Sequence, residues 1–385
     1  MDVRFDRIAT LQAAMREHGL VAIVVLNHDD FRYLFGEDRA QPRAIVPFDG
    51  APEIIVFTGE EPDVRAALSA SERQGTVRIF KSVGGQIGEV VGRIRELAEA
   101  GKAAGLPLGA SGKPRVGLQM WFHTPAFLVD LFRQVNPEIE VVSSDPVMDP
   151  LRAVKDAAEI ERMTEAQRIA GIGMDRAREL LRDGAVAREV ATEALYAMMR
   201  AGAEETSTPI HVNFGADTCM LHGRLSERRL GAGQLAVVDL TPMVGGYCAN
   251  LARTFVLGSP DERQAALIAA YRDVVASVRP ALRPGATVAK LDAIARDVLA
   301  RHGLAEYQVL GIGHGIGLRF EETPASTIIP PHKNVPLRAG MTVTIGHTIL
   351  AIPGFGGVRF EDVYRVTEAG GTALAEYPID PIVGG

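Results

Sequence analysis

Two stretches of this chain repeat one plan, and the repetition narrows the folds open to it. QLAVVDLT (234–241) with YCANLARTFVL (247–257), and MTVTIGHTILAI (341–352) with GVRFEDVYRVT (357–367), are runs rich in β-branched residues set around glycine turns. That is the pattern of antiparallel strand pairs. Helical segments precede each pair. Asp156 is placed to cap a helix, with Glu159 at its third position folding back on the cap, and Ser259, Pro260 and Glu262 repeat the device before ERQAALIAAYRDVV. Thr287 opens a further helix that Gly303 closes. Helix pair, hairpin, helix pair, hairpin is a duplicated domain.

The N-terminal part reads differently. LVAIVVL (20–26), AIVPF (44–48), EIIVFT (53–58) and VRIF (77–80) suit strands, and IGEVVGRIRELAEA suits an amphipathic helix between them, which makes an α/β lobe. GKAAGLPLGASGKP lacks the strand lead-in and spacing of a phosphate cradle and reads as a surface loop. SSDPVMDPLRAVKD, with Pro146 and Pro150, marks a boundary, giving domains over 1–150 and 151–385. A chain of 385 residues with 47% hydrophobic and 23% charged residues can bury two cores. Its net charge of −7 provides no broad basic field for nucleic acid. The charged N-terminus lacks a signal-peptide core, and no run of about 18 apolar residues appears, so the expectation is a cytoplasmic protein without membrane association. Cys219 and Cys248 are too few for a disulfide framework or a thiolate zinc site, and Cys219 is expected to be an inert thiol.

Asp239 in AVVDLTP, Asn250 in YCANLART, His314 in GHGIGL, Gly346 in TVTIGHT and Glu361 in GGVRFED are spaced like the ligands of a two-metal hydrolase site. With the framework of PLRAGM and GHGIGLRFEETP, these segments resemble the pita-bread family, which includes methionine and Xaa-Pro aminopeptidases, prolidase and the metal-free creatinase. The resemblance covers nearly the whole chain. It implies a creatinase-like N-terminal α/β domain followed by a pita-bread domain of pseudo-twofold symmetry, α/β and α+β in class, with the reaction site on the concave sheet between the halves. It also implies a homodimer, as in creatinase.

The metal-dependent members carry Asp where this chain has Asn250, and Glu where it has Gly346. Two nearby dications repel each other and need several carboxylates, one of them bridging, and a neutral amide and a bare backbone do not supply them. No metal is therefore expected. The alternative is one divalent ion, manganese, cobalt or zinc, on Asp239, His314 and Glu361. His347 follows the lost Glu, but strand alternation turns it to the opposite face from residue 346 unless a bulge intervenes. Glu321 stands where the family's HE motif has its second histidine, with Arg319 as a candidate ion-pair partner.

His222 lies seventeen residues before Asp239, in LHGRLSERRLGAGQLAVVD. That spacing resembles the histidine of Xaa-Pro peptidases and the acid/base histidine of creatinase. An imidazole titrating near neutrality can take a proton from water and return it to a leaving nitrogen. The leading expectation is thus a metal-independent hydrolase of an amide, amidine or guanidine C–N bond in a small molecule. His222 is its acid/base group, His314 donates to the tetrahedral centre, Glu321 and Glu361 are further catalytic groups, and Asp239, Asn250 and His347 bind substrate. Clustered carboxylates without a metal call for a raised pKa or a partner in Arg253 or Arg359. Resemblance to creatinase places a substrate-carboxylate arginine near Gln41, with Arg39 and Arg43 on either side. The competing expectations are a Xaa-Pro dipeptidase with an altered, at most mononuclear metal site, a lyase or isomerase using the same histidine, and a non-catalytic binding protein.

Overall fold

The structure, a computed structural model, describes residues 6–36, 38–71, 75–80, 82–120, 124–348 and 350–383. The chain forms two compact units, Met1–Arg152 and Ala153–Gly385. The first is built on a six-stranded sheet in the order Thr76–Phe80, Glu53–Phe57, Ala44–Pro47, Leu20–Val25, Arg115–Leu118, Glu140–Ser143. Every residue of Leu20–Val25 is buried, as a strand covered on both faces requires, and Val21, Val24, Ile45 and Val116 belong to one apolar core with Ile94 and Leu97 of the helix Val83–Ala103. The stretch around Pro146 and Pro150 is a helix, Asp145–Ala153, and the division between the two units falls at its end. Pro146 falls in its first turn, where a missing N–H breaks no intrahelical bond.

The second unit has the duplicated plan. Helices Ala157–Leu180 and Ala187–Arg200 accompany the antiparallel pair Leu235–Leu240 and Leu251–Leu257. Helices Glu262–Val278 and Val288–Arg301 accompany the pair Thr342–Ile345 and Asp362–Thr367. Each half has its own apolar core, one including Met174, Met198, Leu240 and Phe255, the other Tyr271, Leu299, Val343 and Phe360. The capping box at Asp156 and Glu159 is present, and Thr287 caps Val288–Arg301. The third cap differs from expectation. Asp261, not Ser259, accepts from the Gln264 amide, and the Gln264 side chain returns the bond. With Pro260 one residue before it, the acidic side chain reaches the third N–H directly.

Register then aims the site. His211, at the start of the strand His211–Phe214, lies opposite Asp239, and Asp239 lies opposite Ala252. Ala252 in turn pairs with Glu361 through reciprocal backbone hydrogen bonds of 3.1 and 3.0 Å, which join the two hairpins. Residues directly opposite one another share a face of the sheet. His211, Asp239 and Glu361 therefore project from one face, with the small Ala252 leaving room between the two carboxylates.

Candidate active site

Arg359 fills that room. Its Nη1 donates to Asp239 Oδ2 at 2.8 Å and its Nη2 to Glu361 Oε2 at 2.6 Å, with all three side chains buried. Glu361 is held far below the usual carboxylate range: the Arg359 charge, followed by His347, outweighs the opposing effect of burial. The sequence leaves open whether clustered carboxylates have a raised pKa or an arginine partner, and Arg359 is the partner of both. Arg253 serves elsewhere, 2.7 Å from Asp362. Burial outweighs that ion pair and pushes the Asp362 carboxyl up to about 6.

Asn250, wholly buried, donates from Nδ2 to Asp239 Oδ1 at 3.0 Å. A carboxylate oxygen can only accept, so the amide nitrogen must face Asp239 and Oδ1 faces away, where it has no partner. The Gln167 side chain fixes the Asn250 backbone, accepting from its N–H and donating to its carbonyl, both at 3.2 Å.

Gly346 explains His347. Its φ of +109° is a left-handed value that side chains rarely adopt, and a Cβ there would stand 1.8 Å from the Phe360 carbonyl oxygen. The two amides of Gly346 and His347 both bond to the Ile312 carbonyl, at 2.8 and 3.0 Å, where a regular strand would alternate. This break brings His347 into the site, contrary to its expected turn to the far face. Its Nδ1 lies 3.2 Å from Glu361 Oε1 and 3.0 Å from Arg359 Nη2. The Tyr271 hydroxyl clamps the loop, 2.5 Å from the Gly346 carbonyl and 2.6 Å from that of Thr348.

His314 is fully buried, and its Nδ1 is 2.9 Å from the Gly315 carbonyl. That oxygen only accepts, so Nδ1 carries the proton and Nε2 presents a lone pair, for which the protein offers no partner. Burial, then His347, lowers the His314 pKa and keeps the ring neutral. The expected donor to a tetrahedral centre is thus an acceptor: the neutral ring has no second N–H. The Phe320 ring centroid lies 5.1 Å from that of His314. Glu321 bonds to the Thr327 hydroxyl through both oxygens rather than using Arg319 as its partner.

His222 is exposed at the rim, its ring centroid 5.7 Å from His211 and 6.5 Å from His347. Partial desolvation, then His211, His347 and Arg359, lowers its pKa below 6.5. Sequence reasoning missed His211, whose Nδ1 donates to the Gly223 carbonyl at 2.9 Å and so steadies the turn bearing His222. A signal existed. His211 and Asn213 alternate with Val212 and Phe214, and a Cβ on Gly223 would meet Asn213 Nδ2 at 2.2 Å.

Among the described residues, one donor atom each from His314, His347 and Glu361 lie within 4.8 Å of one another. Asp239, expected in any metal set, is not in this group, and Asn250 and Arg359 engage its two oxygens. Arg39 pairs with Asp63 at 2.9 Å, while Arg43 bonds to Gln41 and lies over the Phe57 ring, all within the N-terminal unit. No described helix is long and apolar enough to cross a membrane.

Comparison with known proteins matches residues 161–368 to the model of metallopeptidase family M24 and residues 7–154 to that of the creatinase/prolidase N-terminal domain. A Xaa-Pro dipeptidase of Pyrococcus horikoshii is 27% identical, covering 98% of each chain. A probable dipeptidase PepE of Mycobacterium bovis is 31% identical over 99% of this chain and 98% of its own. The crystal structure of the prolidase from Pyrococcus horikoshii superposes with a TM-score of 0.82 at 25% identity, covering 97% of this chain and 99% of that one. The pita-bread architecture expected from the sequence is that of these relatives. A family of metallopeptidases favours the expectation of a divalent ion over that of none.

Proposed function

This chain belongs to metallopeptidase family M24, and we propose that it hydrolyses the C–N bond of a small peptide-like substrate of the Xaa-Pro dipeptide class, at a site holding at most one divalent ion. The observation that carries this reading is the pair of buried acceptors without protein partners, His314 Nε2 and Asn250 Oδ1, in a chain similar over its full length to dipeptidases. Buried polar atoms are ordinarily satisfied, so these two unpaired acceptors, one on the residue bonded to Asp239 and one on the ring beside His347, mark where a cation or substrate N–H groups belong.

An ion pair does not fit these residues. Asn250 turns its amide nitrogen to Asp239, Gly346 offers no ligand, and the Arg359 guanidinium already holds both carboxylates. Asp239, Glu361 and Arg359 sum to a single negative charge, against the four positive charges of two dications. One ion has donors in His314, His347 and Glu361. When bound it would act as a Lewis acid that polarises the scissile carbonyl.

The protein's own groups do the rest. His222 takes the proton of the attacking water and returns it to the leaving nitrogen. His211 holds its turn through the Gly223 carbonyl, and Asn250 Oδ1 accepts from a substrate N–H. Glu321 offers negative charge to a substrate amine. Because desolvation, and after it His211, His347 and Arg359, depress the His222 pKa, the base form persists below pH 6.5 and is lost only on further acidification. The kcat/KM profile for Xaa-Pro dipeptides is therefore expected to have its acid limb below pH 6.5. Absence of hydrolysis across a panel of such dipeptides, with and without added divalent ions, counts against the proposal.

A second reading keeps His222 and dispenses with the ion. Arg359 favours it, as an internal cation already lodged between the carboxylates. Hydrolysis that persists in excess chelator after removal of bound metal selects this reading. Loss on chelation and recovery with one equivalent of ion selects the first.

A further inference from the structure

We propose that His347 is a metal ligand recruited by the backbone break at Gly346, so that His314, His347 and Glu361 form a nitrogen-rich site for one zinc-class ion. The inference rests on the single-ion reading above and adds how His347 comes to be a ligand and which ion the set prefers.

A side chain at residue 346 is excluded, since its Cβ would collide with the Phe360 carbonyl. The same positive φ that excludes it brings the next side chain into the pocket, beside Glu361. The site thereby exchanges a carboxylate for an imidazole. A second ring lies ready: His314 has Nδ1 committed to the Gly315 carbonyl and Nε2 bare, the tautomer and outer hydrogen bond that a ligating histidine needs. The His314 and His347 centroids are 4.7 Å apart at 84°, so their rings meet edge to face.

The distances suit an ion after small movements. A point equidistant from three donors at the 4.8 Å limit lies roughly 2.8 Å from each, so bonds of about 2.0–2.2 Å need shifts of under ~1 Å. Two imidazoles with one carboxylate leave a fourth position open and favour zinc(II) or cobalt(II) over manganese(II), which prefers oxygen. Arg359 Nη2 donates to His347 Nδ1 at 3.0 Å and to Glu361 Oε2 at 2.6 Å, so His347 must exchange that contact for the ion while Glu361 ligates through Oε1, and Asp239 is a partner of Arg359 rather than a ligand.

The test uses full-length protein stripped with chelator and titrated separately with zinc chloride, cobalt chloride and manganese chloride. Binding is followed by calorimetry and elemental analysis, and cobalt by its visible absorption. One equivalent of zinc is expected, bound at least ~10-fold more tightly than manganese. His347→Ala should weaken zinc binding by at least ~10-fold, the smaller but polar His347→Asn should act likewise, and Asp239→Asn should still bind one equivalent. Circular dichroism checks that each variant folds. If His347→Ala does not fold, His347→Asn and the wild-type preference for zinc over manganese decide the matter. Two equivalents, a preference for manganese, no binding, or zinc binding lost in Asp239→Asn but kept in the His347 variants would overturn the proposal. These titrations need no substrate, so their failure is distinct from failure of the dipeptide assays.

Discussion

Arg359→Met is expected to destabilise the second unit by about 3–5 kcal/mol, because removing one partner of a buried ion pair leaves uncompensated charge behind. In a unit of this size that lowers the unfolding midpoint by roughly 10 °C. The substitution keeps the side-chain bulk but strands Asp239 and Glu361, both buried, without their shared cation. Neutralising them in the same background, with Asp239→Asn and Glu361→Gln, should recover much of the loss. The control is Arg168→Met, whose ion pair with Glu165 is exposed on both sides and is expected to cost no more than about 1 kcal/mol. Thermal unfolding followed by circular dichroism measures all of these. An Arg359→Met protein as stable as wild type would mean that the guanidinium does not carry the charge balance assigned to it.

His222→Ala has the opposite signature. The residue is exposed, so stability should change by no more than ~0.5 kcal/mol. The kcat, by contrast, should fall by about 10²–10⁴ with a much smaller change in KM, the range lost when a positioned acid/base group is removed. The acid limb of the pH profile should disappear with it. His211→Phe should give a milder loss, since it removes only the bond that steadies the Gly223 carbonyl and leaves the acid/base ring in place. Steady-state kinetics on a dipeptide substrate separates the two effects. Unchanged kcat in His222→Ala would remove this histidine from the reaction.

The hairpins and their helices were legible because β-branched runs, glycine turns and capping residues are local signals. Asp239, His314 and Glu361 were legible for a related reason, each sitting in a motif at a strand or loop whose register is strongly specified. His347 was legible as a candidate site residue, but not the means by which it enters. Strand alternation alone puts it on the wrong face, and the left-handed backbone of Gly346, where the Phe360 carbonyl leaves no space for a side chain, reverses that rule. Arg359 was legible as one of two candidate partners of the carboxylates, but not as the partner of both Asp239 and Glu361. Its position between the carboxylates depends on the Ala252 to Glu361 bridge, a long-range pairing that no local pattern encodes. The tautomer of His314, which makes it an acceptor, likewise follows from one carbonyl contact. The misplaced cap at Ser259 is a smaller case of the same kind: Ser259, Pro260 and Glu262 have the residue types of a capping box, and the side chain that reached the third N–H was Asp261.

The most direct measurement is anomalous diffraction from crystals grown separately with excess manganese and with excess zinc. With the carboxylates committed to Arg359, a single zinc peak is predicted among His314, His347 and Glu361, with the guanidinium still bridging Asp239 and Glu361. Two peaks a few ångströms apart, bridged by those carboxylates with Arg359 displaced, would contradict the account.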